Sequence, residues 1–455
     1  MTGDDPVIFL YGTRCVFILF FLINLLIKQL VMSKRISGLF IMALLTMEVF
    51  PQEIKSLQET FLESEYFFMY GDYADALPGY ISIFEKMPEN ANVAYRIGVC
   101  YLNISGKKNL APGYLETAAQ KVSSRHKEGT ISQITAPYDA IYQLGVAYRI
   151  NFQFDKAKDA FKKYRETLLT DDTENLNFVD HEIMTCDNAK RFISKPVDFT
   201  LENMGPIFND EKDNFNPLIS GDGKTFVFMT SMKFYDAVMF SRLIDGKWSS
   251  PVNITPDLQV DGTIYVSCLS ADGKTLLLSL GDSYNSDILS ATFDGTKWSK
   301  AVKLNKNINT KYWESHASIS DDGNWLVFSS DRPGGFGGLD IYVSKKENGD
   351  WGPAINIGPE INTTLNEDSP FLINNSKTLF FSSQDHESIG GYDIMKSDKM
   401  SNGLWDKPKN LGYPVNTPDD NIFFMPVSGG KAGFISVYRE GEGYGKQDIY
   451  KITFK

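Results

Sequence analysis

The chain has 455 residues, room for two or three domains, and its 42% hydrophobic and 22% charged residues exclude wholesale disorder. A formal net charge of −12 with no basic stripe excludes nucleic acid as a partner, because an acidic surface repels phosphate backbones. Four cysteines, at positions 15, 100, 186 and 268, show no CxxC spacing and no shared neighbourhood. That excludes a zinc site or a disulfide framework and leaves free thiols packed as small apolar groups.

Two apolar runs open the chain. Val16 to Ile27 is interrupted by Asn24, and Ile36 to Phe50 follows Met32-Ser33-Lys34-Arg35. A spanning helix wants about twenty apolar residues, whereas a basic start followed by a shorter run describes a signal peptide. On one reading Met32 is the initiator, residues 1–31 are an upstream extension and residues 32–50 are the signal peptide. On the other, one or both runs form a membrane anchor, since no small-x-small cleavage site precedes Pro51-Gln52-Glu53. Both readings export the chain. Cys15 follows Tyr11-Gly12-Thr13-Arg14, which is no lipobox.

Residues 51–195 carry a helical period. Ala74, Ala76, Leu77, Tyr80, Ile81 and Phe84 form one stripe, ended by Pro88. Tyr95-Arg96-Ile97-Gly98-Val99-Cys100-Tyr101 recurs as Tyr142-Gln143-Leu144-Gly145-Val146-Ala147-Tyr148, followed by the stripe Phe154, Ala157, Ala160 and Phe161. Gly98, Gly145, Ala76 and Ala157 stand where helices must approach closely. This spacing, with Gly71-Asp72-Tyr73 ahead of Ala76, resembles the tetratricopeptide repeat and implies about three helix pairs. Such a stack either grips a partner's peptide or helix on its concave face or props the domain that follows.

Residues 197–455 repeat one motif five times. Gly221-Asp222-Gly223-Lys224-Thr225-Phe226-Val227-Phe228 recurs at Ala271–Leu278 and Asp321–Phe328, and more loosely at Asn374–Phe381 and Ser428–Phe434. Asp-Gly supplies the positive-φ turn between antiparallel strands, and the apolar run after it is a buried strand. Each copy then has an Asp leading a strand, at Asp236, Asp287, Asp340, Asp393 and Asp448. Four copies continue through a Trp, at Trp248, Trp298, Trp351 and Trp405. About four short strands in about fifty residues make one propeller blade, and exposed sheet edges force such units to close into a ring. The fifth copy lacks its last segment, yet Asn203, Gly205, Pro206 and Asn209 align with Asn356, Gly358, Pro359 and Asn362. A strand from residues 197–209 is therefore expected to complete blade five and set the helical repeats against that closure.

These motifs, above all Ser329-Ser330-Asp331-Arg332-Pro333-Gly334-Gly335-Phe336-Gly337-Gly338-Leu339-Asp340-Ile341-Tyr342, resemble the periplasmic WD-repeat-like, TolB-type propeller family. Together with the upstream repeats they resemble Bacteroidota envelope proteins, relatives of which carry an OmpA-like domain or belong to the type IX secretion apparatus. The resemblance implies a periplasmic or outer-membrane-associated protein whose partners are envelope proteins, held at the membrane through its N-terminus or through those partners. The fold class is thus multidomain: all-α tetratricopeptide-like repeats followed by an all-β five-bladed propeller.

No chemical motif accompanies this architecture. The five repeated Asp residues suit turn amides at the start of a strand better than a ring of catalytic carboxylates. Gly223-Lys224-Thr225 matches the end of a phosphate loop, but Leu218 occupies the place of its first Gly. There is no G-x-S-x-G elbow, His181-Glu182 lacks a second His, and the acidic run Asp171 to Asp180 lacks the Gly of a calcium loop. The four His, at 126, 181, 316 and 386, fall in different repeats or linkers. No catalytic, cofactor or metal site is therefore expected, and the chain reads as a non-enzymatic scaffold or adaptor. The alternative is a carbohydrate-binding or glycan-processing propeller working at the ring centre.

Departures from the repeat carry the candidate contacts. The long Gly-rich loops Arg332–Gly338 and Asp385–Gly391 and their shorter counterparts in blades one and five occupy equivalent strand connections. They should share one face of the ring, with Tyr235, Arg332, Phe336, His386 and Tyr444 as partner contacts.

Overall fold

The computed structural model describes residues 56–260, 262–281 and 285–455. The expectations for residues 1–31, for the signal peptide at 32–50 and for Cys15 lie outside them. The helical part runs as α1 (Leu57–Met69), α2 (Tyr73–Phe84), α3 (Ala91–Leu102), α4 (Ala111–Ala119), α5 (Asp139–Ile150), α6 (Phe154–Arg165) and α7 (Thr173–Ile193). Each helix packs on the next. Local chemistry sets the boundaries: Asn90 caps α3 by accepting the Val93 amide at 3.1 Å, and Asp172 caps α7 by accepting that of Asn175 at 3.3 Å. Gly98 is needed because a Cβ there would stand 2.4 Å from Leu115, and Gly145 because one would stand 2.5 Å from Phe161. The first helices are also locked by a buried ion pair, Arg96 Nε to Glu65 Oε1 at 2.7 Å, whose carboxylate also accepts the Tyr80 hydroxyl.

The β part consists of five sheets. Blade one holds β2 (Asn214–Ile219), β3 (Thr225–Ser231) and β4 (Asp236–Ile244), with β5 (Lys247–Trp248) and β6 (Val252–Asn253) both paired to β4. The short helix α8 (Thr255–Leu258) leads to blade two: β7 (Thr263–Leu269), β8 (Thr275–Gly281), β9 (Ser286–Thr292) and β10 (Val302–Lys303). Blade three is β11 (Glu314–Ile319), β12 (Trp325–Ser330), β13 (Asp340–Glu347), β14 (Asp350–Trp351) and β15 (Ile355–Asn356). Blade four is β16 (Glu367–Ile373), β17 (Thr378–Ser383), β18 (Asp393–Asp398) and β19 (Lys409–Asn410). Blade five is β20 (Met425–Val427), β21 (Ala432–Tyr438) and β22 (Gln447–Phe454), with β1 (Phe199–Asn203) as its outer strand. The ring thus closes between its two sequence ends, Phe199 opposite Phe454 and Asn203 opposite Tyr450 in antiparallel register.

Repeated side chains build each blade. Ser220 Oγ accepts the Thr225 amide at 3.0 Å and donates to Asp222 at 2.6 Å, and Ser270 and Ser320 do the same one and two blades on. The glycine of each of these three turns sits near φ +70°. Asp340 accepts the Phe336 and Gly337 amides, Asp393 those of Ile389 and Gly390, and Asp448 that of Tyr444. These carboxylates hold the loop that precedes their own strand, as turn chemistry predicts. Asn209 accepts the Ile449 amide at 2.8 Å and donates to its carbonyl at 3.0 Å; Asn362 and Asn416 bond Ile341 and Ile394 identically. The second strands are buried on both faces because each blade packs between two others, which is why β3, β12 and β17 read as continuous apolar runs.

Candidate functional site

The connections between the second and third strands of blades one, three, four and five emerge at one end of the ring. There Phe336, Ile389 and Tyr444 occupy a single repeat position, each donating its amide to the Asp four residues on. Their surroundings differ sharply. Ile389 is fully buried within the core of the helical segment, whereas Phe336 and Tyr444 are 48% and 49% exposed. The glycine after each lies against the next blade: a Cβ on Gly337 would stand 2.3 Å from the Leu365 carbonyl, and one on Gly390 2.4 Å from that of Asp419. The Gly-rich character of these loops therefore serves blade-to-blade stitching.

Around Ile389 the blade-four loop is clamped by the helices. Arg149, at the end of α5, donates to the Gly390 carbonyl at 2.6 Å and pairs with Glu182 of α7 at 3.1 Å, both side chains being buried. Burial holds the Glu182 carboxyl above its usual range, opposed by the Arg149 charge. Asn188 donates to the Ser388 carbonyl at 3.1 Å, Arg191 meets Glu387 at 3.1 Å, and Lys108 reaches Asp419 at 2.5 Å. Val197 donates its amide to the Tyr413 carbonyl at 2.8 Å, tying the connecting segment to the same blade. Residues Leu57–Lys455 accordingly form one compact unit. The Asp393 carboxyl beneath this junction is pushed up to about 8 by burial, against the lowering effect of the Ile389 and Gly390 amides.

The five residues singled out from the sequence separate here. Phe336, Tyr444 and Tyr235 are exposed, as is Phe234 beside Tyr235 at 85%. Arg332 turns inward instead: it donates to the Ile308 carbonyl at 2.5 Å and to Glu314 at 3.1 Å, and lies over the Phe328 and Tyr342 rings. It neutralises a fully buried glutamate. In blade four the corresponding place belongs to Asp385, and there the equivalent Glu367, without a cation, is pushed up to about 7 by burial. His386 is also engaged, with Nε2 at 2.6 Å from the Ile361 carbonyl and its ring against Phe381. Burial holds His386 below its usual pKa.

The ring axis holds a pair that the sequence did not reveal. His316 on β11 and Asp368 on β16 meet at 3.2 Å through Nδ1, and Ser315 Oγ donates to the same carboxylate at 3.0 Å. The His316 ring faces Phe423, ahead of blade five, with centroids 6.2 Å apart, and Phe423 packs edge-on against Phe371. Burial pulls the imidazole down, but the charge and hydrogen bond of Asp368 outweigh it and raise its pKa. Asp368 is lowered, its burial being offset by His316 and by donors from Ser369 and Ser315. Sequence spacing separates the pair by a whole blade, so no local signal announces it. Ile389 had one signal, an apolar residue aligned with Phe336, but nothing to say which copy would be covered. Among the described residues, no group of three or more His, Cys, Asp or Glu could share a metal ion, and no helix is long and apolar enough to cross a membrane.

No family model matches the chain, and no curated protein matches it. Solved structures do. TolB from Acinetobacter baumannii is 15% identical with a TM-score of 0.35 over 53% of this chain and 55% of that one, so the chain spans about half of TolB's length. An alpha-L-arabinofuranosidase from Lactobacillus brevis is 13% identical, with a TM-score of 0.36, over 55% of this chain and 92% of that one. A prolyl endopeptidase is 15% identical, with a TM-score of 0.28, over 65% of this chain and 44% of that one. Likenesses this distant assign neither family nor activity, and the five-bladed propeller stands on the strand pairing itself.

Proposed function

We propose that the chain is a non-enzymatic adaptor of the bacterial cell envelope, combining tetratricopeptide-type helices with a TolB-type propeller. One observation carries this reading. The repeat position that seats Ile389 in the chain's own helical core is left exposed, and still apolar, as Phe336 and Tyr444 in two other blades. An apolar side chain held on a loop braced by its Asp is an anchor of the kind that fills a partner's pocket. The envelope setting rests on the basic-then-apolar pattern of Lys34-Arg35 and Ile36 to Phe50. The partners are envelope proteins presenting an apolar pocket between helices.

Affinity purification from native membranes, followed by mass spectrometry, tests this. The chain is expected to recover a stable envelope partner that a Phe336→Ser, Tyr444→Ser double variant fails to retain. Recovery of no partner, or equal recovery by the double variant, overturns the proposal.

A further inference from the structure

The opposite end of the ring, where the first and second strands of each blade join, contains an open cavity of about 660 Å³ lined by all five blades. That volume lies within the range of about 300–1,000 Å³ common for small-molecule sites. One repeat position contributes a residue from every blade: Gly221, Ala271, Asp321, Asn374 and Ser428. The position is therefore structural in origin but chemically one-sided. At this position two neighbouring blades carry only a glycine and an alanine, and Gly221 lies so close to Ala271 that a Cβ would stand 3.0 Å from its carbonyl. The other three present a carboxylate, an amide and a hydroxyl.

The polar side is open to solvent: Asp321, Asn374 and Ser428 are exposed, and the Asn374 side-chain amide is fixed by donating to Thr378 Oγ1 at 3.1 Å. Asp321 accepts the Asn374 amide at 3.0 Å through one oxygen, and no bond engages the other. Lys451 also lines the cavity and makes no ion pair among the described residues. Blade four departs from the Asp-Gly turn here, with Asn374, Asn375 and Ser376 all at φ between 54° and 62°. Non-glycine residues held at positive φ are strained, and such strain gathers at binding sites. Leu269, Ile319, Phe371 and Met425 give the wall an apolar floor, and Asp222 adds a second carboxylate.

We infer that this axial cavity is a binding site for a neutral saccharide of one or two rings, held by Asp321, Asn374, Ser428 and Lys451 over an apolar floor. A hydroxylated ring supplies donors and acceptors in near-equal number, and so can pair with the second Asp321 oxygen, the Ser428 hydroxyl and the Lys451 ammonium together. An anion would meet Asp222 and Asp321, and a wholly apolar ligand would strand the polar side.

Calorimetric titration of the purified chain with glucose, galactose, mannose, N-acetylglucosamine, cellobiose, lactose and chitobiose tests the site. At least one sugar is expected to bind saturably, with Asp321→Ala and Lys451→Met each weakening it tenfold or more. Asp321→Asn, which keeps an acceptor for the Asn374 amide, separates loss of binding from loss of fold and should weaken binding while melting like the parent. Phe336→Ser, at the other end of the ring, should bind normally. Absence of saturable binding across the panel, or unchanged affinity in the Asp321 and Lys451 variants, overturns the inference.

Discussion

Arg149 donates to the carbonyl oxygen of Gly390, 241 residues away in the chain and 2.6 Å away in space. That bond joins the last turn of a helix to the tip of a propeller loop. Beside it, the Arg149 guanidinium neutralises Glu182 with both side chains buried. Replacing Arg149 with Met leaves a buried carboxylate uncompensated, and breaking a buried pair in this way costs about 3–5 kcal/mol. Urea unfolding should show that loss, and limited proteolysis should cut between α7 and β1 earlier than in the parent.

Ile389 and Phe336 hold one repeat position in two environments. Ile389→Ala should cost about 2–5 kcal/mol, the range for deleting a buried aliphatic side chain. Phe336→Ala should stay within about 0.5 kcal/mol, as expected of an exposed position. Denaturation midpoints of the two variants check the difference. Similar losses would contradict the burial seen for Ile389 alone.

Asn209 holds both backbone groups of Ile449 across the ring closure. Asn209→Ala leaves the buried Ile449 amide without a partner, at about 1–3 kcal/mol, while the carbonyl keeps the Met204 amide at 3.1 Å. Asn362→Ala removes the same bonds within blade three, where no chain ends meet. Hydrogen exchange should therefore accelerate across β1 and β22 in the Asn209 variant, and locally around Ile341 in the Asn362 variant.

His316 and Asp368 give the axis a defined pH response. The His316 pKa is raised, so its contribution to stability is complete below about 6.5 and is lost as pH rises through the folded value. The Asp368 pKa is lowered, so its contribution is complete above about 3.9 and is lost as pH falls through the folded value. The pair stabilises the ring most between about pH 4 and pH 6.5. In Asp368→Asn only burial remains to act strongly on the imidazole, which should then titrate below its ordinary value. Proton NMR of the His316 ring reads that reversal directly, and the stability maximum in that window should flatten.

Much of the fold was legible because it repeats. The Asp-Gly turns, the Asp at the head of each third strand and the Asn after four of the five outer strands act within one blade or at its edge. Local hydrogen bonding explains them without reference to the rest of the ring. Even the closure was legible, since Asn203 and Asn209 carry the same pattern as Asn356 and Asn362 and so claim the same place in a blade. The candidate site was less so. Arg332 looked available on a loop, but a buried Glu314 captures it, and no spacing rule links Arg332 to Glu314.

By itself the amino-acid sequence determined the five-bladed ring, the strand that closes it and the helical segment before it. Those features follow from periodicity and from side chains that bond to nearby backbone. Only the tertiary structure decided which copy of a repeated position is covered, through Ile389 and Arg149, and which remain open. It alone brought His316 to Asp368 and set Asp321, Asn374 and Ser428 around one cavity. The physical reason is that these contacts join residues a blade or more apart, where the geometry of the closed ring, and no local pattern, sets the distance.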